Sequence, residues 1–253
     1  MSETVLSVDD VTVRFGGVTA LSKVAFSIRR GEFVGLIGPN GAGKTSLLRT
    51  IMGAIRPDEG RIALGDVDIS AMKTAQRSRR GLAMSHQIVR PFRNMTVLDN
   101  VALAVGRAVT RSPLTALLSI RKSKQRARAM ELLSLVNIAH TRDLNPRSQP
   151  LGVLKRLEVA RALALDPSVL LLDEPLAGLG HSETGPIADL LLTLNRSGVT
   201  ILLIEHNLVE ARRICPRFVV LDNGRKIADG PTEEVLKNRE VIAAYLGEGW
   251  RDA

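Results

Sequence analysis

The stretch from Phe33 to Thr45 constrains this chain more than any other. Phe33-Val34-Gly35-Leu36-Ile37 is almost wholly apolar, as a β-strand covered on both faces must be. It runs directly into Gly38-Pro39-Asn40-Gly41-Ala42-Gly43-Lys44-Thr45, followed by Ser46 and then by Leu47, Leu48 and Ile51 at helical spacing. A helix is therefore predicted to start near Lys44 and to end at about Gly53. A segment of the form G-x-x-x-x-G-K-[ST] between a strand and a helix makes a turn whose backbone N–H groups close around an anion at the positive end of the helix. Lys44 adds a point charge suited to β- and γ-phosphates, and the Thr45 hydroxyl is a ligand for Mg2+. A strand, phosphate loop and helix in that order predict an α/β fold.

The flanking pattern extends this unit. Val5 to Val13 alternates apolar with polar residues and Val24 to Ile28 follows, with turn signals at Gly16-Gly17 and Arg30-Gly31, so two short strands are expected ahead of the loop. From Thr96 to about Leu165 the spacing becomes helical. Met130, Leu132, Leu133, Leu135 and Val136 form one apolar stripe, and Leu154, Leu157, Val159, Leu163 and Leu165 form another. Val169 to Leu172 and Thr200 to Ile204 then return as apolar strands around a helix at Ile187 to Leu194. Phe218 to Leu221 reads as a further strand, turning at Asn223-Gly224 into Lys226 to Ala228. A mainly parallel sheet with crossover helices and a helical insertion is the expected architecture.

Polar residues at the ends of these strands carry the remaining chemistry. The run Val169-Leu170-Leu171-Leu172 ends in Asp173-Glu174-Pro175, where open α/β sheets bind ligands. Asp173 is suited to hold Mg2+, often through water, and Glu174 to polarise a water that attacks a γ-phosphate. His206 follows the strand ending at Ile204 and the acid Glu205, which suits it either to a structural role or to a hydrogen bond with a γ-phosphate oxygen. Gln87, after the strand-like Gly81 to Ser85, is open in the same way.

Composition narrows the class. With 253 residues, 45% apolar and 24% charged, the chain is neither a disordered tail nor a disulfide scaffold, and its single cysteine, Cys215, has no internal partner. The start MSETVLSVDD lacks the basic and apolar blocks of a secretory signal, and no apolar run approaches the length of a membrane span, so a cytosolic chain with peripheral membrane contact at most is expected. A formal net charge of +9 favours anionic partners: nucleotide, nucleic acid or lipid headgroups. From Asn100 through Met130 there is no acid, while Arg107, Arg111, Arg121, Lys122, Lys124, Arg126 and Arg128 crowd together, either as a solvated helical face or as a surface for headgroups or an acidic partner.

Taken together, Gly38 to Thr45, Gln87, Arg161-Ala162-Leu163, Leu172-Asp173-Glu174-Pro175 and His206 resemble the nucleotide-binding subunit of an ATP-binding cassette (ABC) transporter. The resemblance spans essentially the whole chain. Within that family, Val13-Arg14-Phe15-Gly16-Gly17, Pro91-Phe92-Arg93-Asn94-Met95-Thr96-Val97, the insert after Val105 and the ending Ala244-Tyr245-Leu246-Gly247-Glu248 are most similar to the ATPases of branched-chain amino acid importers. Urea or amide importers and the lipopolysaccharide exporter ATPase have similar ends.

The resemblance implies a P-loop NTPase core of the ABC-ATPase type with an N-terminal antiparallel β region and an inserted α-helical subdomain. A single ATP-binding domain would cover 5–246, its core about 5–88 and 166–246 and its helical part about 89–165. ATP and Mg2+ are the implied cofactors and ATP hydrolysis the implied reaction, with Glu174 and His206 catalytic. Phe15 is implied to stack on adenine, and Gln87 to contact Mg2+ and the attacking water. Two ATPase subunits would sandwich the nucleotides and drive two transmembrane permease subunits at the cytoplasmic face of the inner membrane, fed by an extracytoplasmic solute-binding protein. A soluble nucleic-acid- or ribosome-associated ABC protein is the alternative, although the second cassette or long coiled coil usual there is lacking and no nucleic acid partner is expected. The signature Leu-Ser-Gly-Gly-Gln falls here on Gln149-Pro150-Leu151-Gly152-Val153, and Gly180 stands where the family usually has Asp or Asn. Pro150 removes a hydroxyl and a backbone N–H that would face a partner's γ-phosphate, while also suiting a helix start. A different ATPase subunit with an intact signature is therefore the expected partner.

Overall fold

The computed structural model describes residues 3–85, 91–109 and 119–246. Gln87, Arg111 and the ending Gly247-Glu248 lie outside the described residues, as do the side chains of Arg107, Arg121 and Lys122. Two sheets organise the described residues. The first is antiparallel and is formed by β1 (Thr4–Phe15), β2 (Val18–Arg29), β4 (Glu59–Leu64) and β5 (Val67–Asp68), in the order β2-β1-β4-β5. The second contains β3 (Phe33–Ile37), β6 (Leu82–Ser85), β7 (Val169–Asp173), β8 (Thr200–Ile204), β9 (Arg217–Asp222) and β10 (Arg225–Pro231), in the order β10-β9-β3-β8-β7-β6. Every pairing in the second sheet is parallel except the hairpin of β9 with β10.

The five-residue strands β3, β7 and β8 are buried along their full length, and their alternation sorts side chains into two cores. Phe33, Ile37, Leu170, Leu172, Ile201 and Leu203 point to the face covered by helices α3 (Val97–Val109), α4 (Ser119–Leu135), α5 (Leu151–Leu163) and α6 (His181–Arg196). Val34, Leu36, Val169, Leu171, Leu202 and Ile204 point to the opposite face, where α1 (Lys44–Met52) and the antiparallel sheet close a second core. Helices α3, α4 and α5 intervene between β6 and β7, as the helical spacing from Thr96 to Leu165 predicts.

Several expectations need adjustment. The second strand is longer than Val24 to Ile28, because β2 pairs with β1 along almost its whole length, from Thr4↔Arg29 to Phe15↔Val18. The helix expected at Ile187 to Leu194 begins earlier, at His181. In the first helical stripe Leu135 is exposed, the buried face being Ala129, Leu132, Leu133 and Val136. In α5 the buried face includes Lys155 and Glu158 alongside Leu157, Val159 and Leu163, with Leu154 only half-buried. Among the described residues no helix is long and apolar enough to cross a membrane.

Candidate functional site

The strand register puts the predicted residues on one edge. Leu36 of β3 and Asp173 of β7 both lie opposite Ile204 of β8, so the three adjacent strands end at the same level. Gly38, Glu174 and Glu205-His206 follow those ends directly. The carboxyl edge of a parallel sheet is where such folds bind ligands.

The loop Gly38 to Gly43 curls around its own lysine. Lys44 Nζ donates to the carbonyls of Gly38 at 2.6 Å and Pro39 at 2.8 Å, and the Ala42 N–H donates to Pro39 O. Gly38 has φ +146°, and a Cβ there would fall 2.0 Å from the Leu221 carbonyl, so no side chain fits at the base of the loop. Helix α1 starts at Lys44 with no side-chain cap and no acid in its first turn. Its leading N–H groups are thus left to the loop side, where an anion is favoured. Burial lowers the Lys44 ammonium below its ordinary pKa, and the carboxylates of Glu174 and Asp173 oppose that shift. Both acids therefore act on the lysine that points into the loop.

Glu174 occupies an unusual backbone state. Its φ is +50°, a left-handed conformation that costs a non-glycine residue roughly 1 to 2 kcal/mol. The surroundings hold it there: the Glu174 N–H donates to Ile204 O at 3.0 Å, and Glu174 O accepts from the Ala177 N–H at 3.2 Å and from Lys155 Nζ at 3.0 Å. His206 Nδ1 lies 3.6 Å from Glu174 Oε2, an approach too long for a direct hydrogen bond. The His206 side chain is exposed, whereas Glu174 is mostly covered. Asp173 is buried, and Thr45 and Ser46 are half-buried.

Phe15 is 51% exposed at the end of β1, so it is not a core phenylalanine. Its hairpin is fastened to the phosphate loop through the turn between β9 and β10. The Ser22 N–H donates to Gly224 O at 2.8 Å, and the Gly224 N–H donates to Ala42 O at 3.1 Å. A Cβ on Gly224 would lie 2.6 Å from Ala20 O, so the three segments approach closely.

The signature-like residues lie at the start of α5. A short 3-10 turn at Pro146–Ser148 leads through Gln149, which donates to the hydroxyl of Ser148, to Pro150 at the N-cap of α5. Leu151 is exposed, Gly152 is buried against Glu183, and Val153 is half-buried. Gly180 is the N-cap of α6 and offers no side-chain cap.

Two charged residues escaped the sequence reading as parts of this site. Lys155 is 5% exposed and reaches the Glu174 carbonyl, and Glu205 is 1% exposed and accepts the Leu176 N–H at 2.9 Å through Oε1. Burial lowers the Lys155 pKa against the pull of Glu205, Glu174, Asp173 and Glu158, and burial raises that of Glu205 against the Leu176 hydrogen bond. The available signal was a lysine among the apolar residues of α5 and an acid directly before His206.

A phosphate-cradling loop, two acids and a histidine at adjacent strand ends define a P-loop nucleotide hydrolase. Comparison with known proteins gives the family. A family model described as "ABC transporter" matches residues 21–177, and one described as "Branched-chain amino acid ATP-binding cassette transporter" matches residues 225–250. The high-affinity branched-chain amino acid transport ATP-binding protein LivG of Escherichia coli (strain K12) is 36% identical over 98% of this chain and 100% of its own. The lipopolysaccharide export system ATP-binding protein LptB of the same organism is 35% identical over 97% of this chain and 98% of its own. Among solved structures, the ADP conformation of MJ1267, an ATP-binding cassette of an ABC transporter, superposes with a TM-score of 0.84 at 30% identity, over 98% of this chain and 100% of that one. The chain belongs to the ABC transporter family, as a nucleotide-binding, ATP-hydrolysing cassette.

Proposed function

We propose that this chain is the ATPase subunit of an importer for branched-chain amino acids or a related small polar solute. Its likeness to LivG along nearly the whole chain and the match over residues 225–250 support that cargo. The observation that carries the chemistry is the meeting of Lys44, Glu174 and His206 at the ends of three adjacent strands. The amides of Gly38, Pro39-Asn40-Gly41, Ala42 and Gly43 (the proline lacking an N–H) and those of Lys44, Thr45 and Ser46 hold the phosphates, with Lys44 between the β- and γ-groups. Phe15 stacks on adenine. Glu174 orients and polarises the attacking water, and His206 hydrogen-bonds the γ-phosphate.

Thr45 and Asp173 are oxygen donors of the kind Mg2+ takes, and Gln87 serves the same cation and the water. Among the described residues no group of three or more His, Cys, Asp or Glu is placed to hold a metal. That donor set fits Mg2+, which keeps water and phosphate oxygens rather than entering a protein cage. Bound there, the ion neutralises charge that develops on the transferring phosphoryl group.

The site is completed by a second ATPase subunit whose signature loop closes over the nucleotide. In return this chain offers Gln149, Pro150, Leu151, Gly152 and Val153. Pro150 leaves the α5 amides of Leu151, Gly152 and Val153 in place but supplies neither hydroxyl nor N–H. One lost hydrogen bond to a charged group is worth about 1.5 to 3 kcal/mol, so the partner's site is the weaker one. A different chain with an intact signature is the partner, and both dock on two permease subunits at the cytoplasmic face of the membrane. We assign about 5–88 and 166–246 to the core and about 89–165 to the helical part.

The test is Mg2+-dependent ATP turnover of the complex purified with its natural partners. Lys44→Ala is expected to lower it at least about 100-fold, the scale of a lost charge-stabilising group; full turnover in that variant rejects the site. Glu174→Gln placed in this chain, compared with the equivalent change in the other ATPase, is expected to give unequal losses, and equal losses reject the asymmetry. The similarity to LptB makes lipid export the competing cargo class, so uptake of labelled leucine into vesicles bearing the complex decides between them.

A further inference from the structure

The turn Glu174-Pro175-Leu176 is held from two sides by buried charges on two different elements. On one side Lys155 Nζ, from α5, donates to the Glu174 carbonyl at 3.0 Å. On the other, Glu205 Oε1, at the end of β8, accepts the Leu176 N–H at 2.9 Å. Lys155 lies one helical turn beyond Gly152 of the signature-like segment, and Glu205 directly precedes His206. Glu174, whose carbonyl takes the first of these bonds, is in the left-handed conformation described above, which persists only where neighbouring structure fixes it.

Burying a lysine and a carboxylate is costly, and an apolar pair of similar volume would pack there at least as favourably. The two charges are better accounted for by what they fix. A lysine stem of four carbons spans from α5 to the strand end and brings its ammonium donor to the Glu174 carbonyl. The Glu205 side chain holds the amide two residues further on. Any shift of α5 against the sheet would pull on the carbonyl of Glu174 through Lys155.

We propose that Lys155 and Glu205 are positioning residues that clamp the turn carrying Glu174, so that the helix behind the signature loop sets the aim of the hydrolytic carboxylate in its own chain. This rests on the hydrolase reading above. Neither residue is required to touch the nucleotide, so their loss is expected in turnover rather than in nucleotide binding.

The experiment compares ATP turnover against ATP concentration in the assembled complex, together with binding of a non-hydrolysable ATP analogue. Lys155→Met and Glu205→Leu, each of which removes one arm of the clamp, are expected to lower kcat roughly 10- to 100-fold, the cost of misplacing a reacting group by a fraction of an ångström to one ångström. KM and analogue affinity are expected to stay within about two-fold, the pattern of an interaction lost only in the transition state. Lys155→Arg and Glu205→Gln, which keep a donor and an acceptor, are expected to restore most of the rate. A kcat unchanged in Lys155→Met, a parallel fall in affinity, or an arginine variant as slow as the methionine one would overturn the proposal. Should Lys155→Met fail to assemble, the conservative pair decides alone: rates within about three-fold of wild type uphold the clamp, and a loss of about ten-fold or more overturns it. Lys44→Ala runs alongside. Its loss of turnover with Lys155→Met unaffected sinks the clamp only, whereas turnover surviving Lys44→Ala sinks the hydrolase reading as well.

Discussion

Arg77 gives the sharpest prediction about stability. It lies in α2 (Thr74–Ser78), its residue is 1% exposed, and its guanidinium donates to four backbone carbonyls. Nε reaches Met72 O at 2.9 Å, Nη1 reaches Thr50 O and Ile51 O at 2.7 Å each, and Nη2 reaches Ser70 O at 2.8 Å. Thr50 and Ile51 lie in the last turn of α1, whose other end begins at Lys44, so the cation caps the negative end of the helix that starts at the candidate phosphate loop. Arg77→Met keeps much of the volume and takes the guanidinium from all four carbonyls, of which Thr50 O keeps the Gly53 N–H as a second donor at 3.1 Å. At about 1 kcal/mol per bond after water has reached the more accessible carbonyls, the loss is about 3 to 5 kcal/mol. For a chain of this size that lowers the melting temperature by about 10 °C. Arg77→Lys retains a cation that satisfies two or three of the four, and it should lose about half as much. Urea unfolding of the nucleotide-free chain, followed by circular dichroism, measures both. A Met variant within about 1 kcal/mol of wild type, or equal losses for Lys and Met, would refute the capping argument.

Phe15→Ala is expected to weaken ATP binding by about 1 to 3 kcal/mol, the worth of one base stacked on an aromatic ring, with little change in stability because the ring is half exposed. Titration with a fluorescent ATP analogue and a melting curve test both halves of that statement. Cys215 is buried, and burial, reinforced by Glu205, pushes its thiol far above the ordinary range. Because the thiolate is the reactive form, an alkylating reagent at pH 8 should leave the folded chain unmodified and label it stoichiometrically in urea. Labelling of the native chain at the rate of a free thiol would contradict the packing of α7 (Leu208–Ile214) against the sheet.

The sequence made the candidate edge legible because three apolar runs, each five residues or shorter, end in residues that a core strand rarely carries: Gly38-Pro39, Asp173-Glu174 and Glu205-His206. Periodicity also placed α1 to within a residue of its observed ends. It failed where burial depends on partners distant in sequence. Glu59 to Arg61 are exposed, so β4 shows no alternation over its first half, and its pairing with β1 had no local signature. Arg77, Lys155 and Glu205 are charged residues whose default is solvent, and their burial follows from carbonyls and amides supplied by other elements. Nothing in the local spacing distinguishes Lys155 from a surface lysine until the Glu174 carbonyl stands beside it.

The Gly224 turn is hydrogen-bonded to both the Phe15 hairpin and the phosphate loop, and on the function proposed above it would give the cassette a common mounting for the two ends of its ligand. With platform and grip tied to one turn, the protein would then work as a ruler for the span from base to terminal phosphate. A nucleotide with a longer bridge would find one end out of reach, and a bare triphosphate would leave the gauge unread.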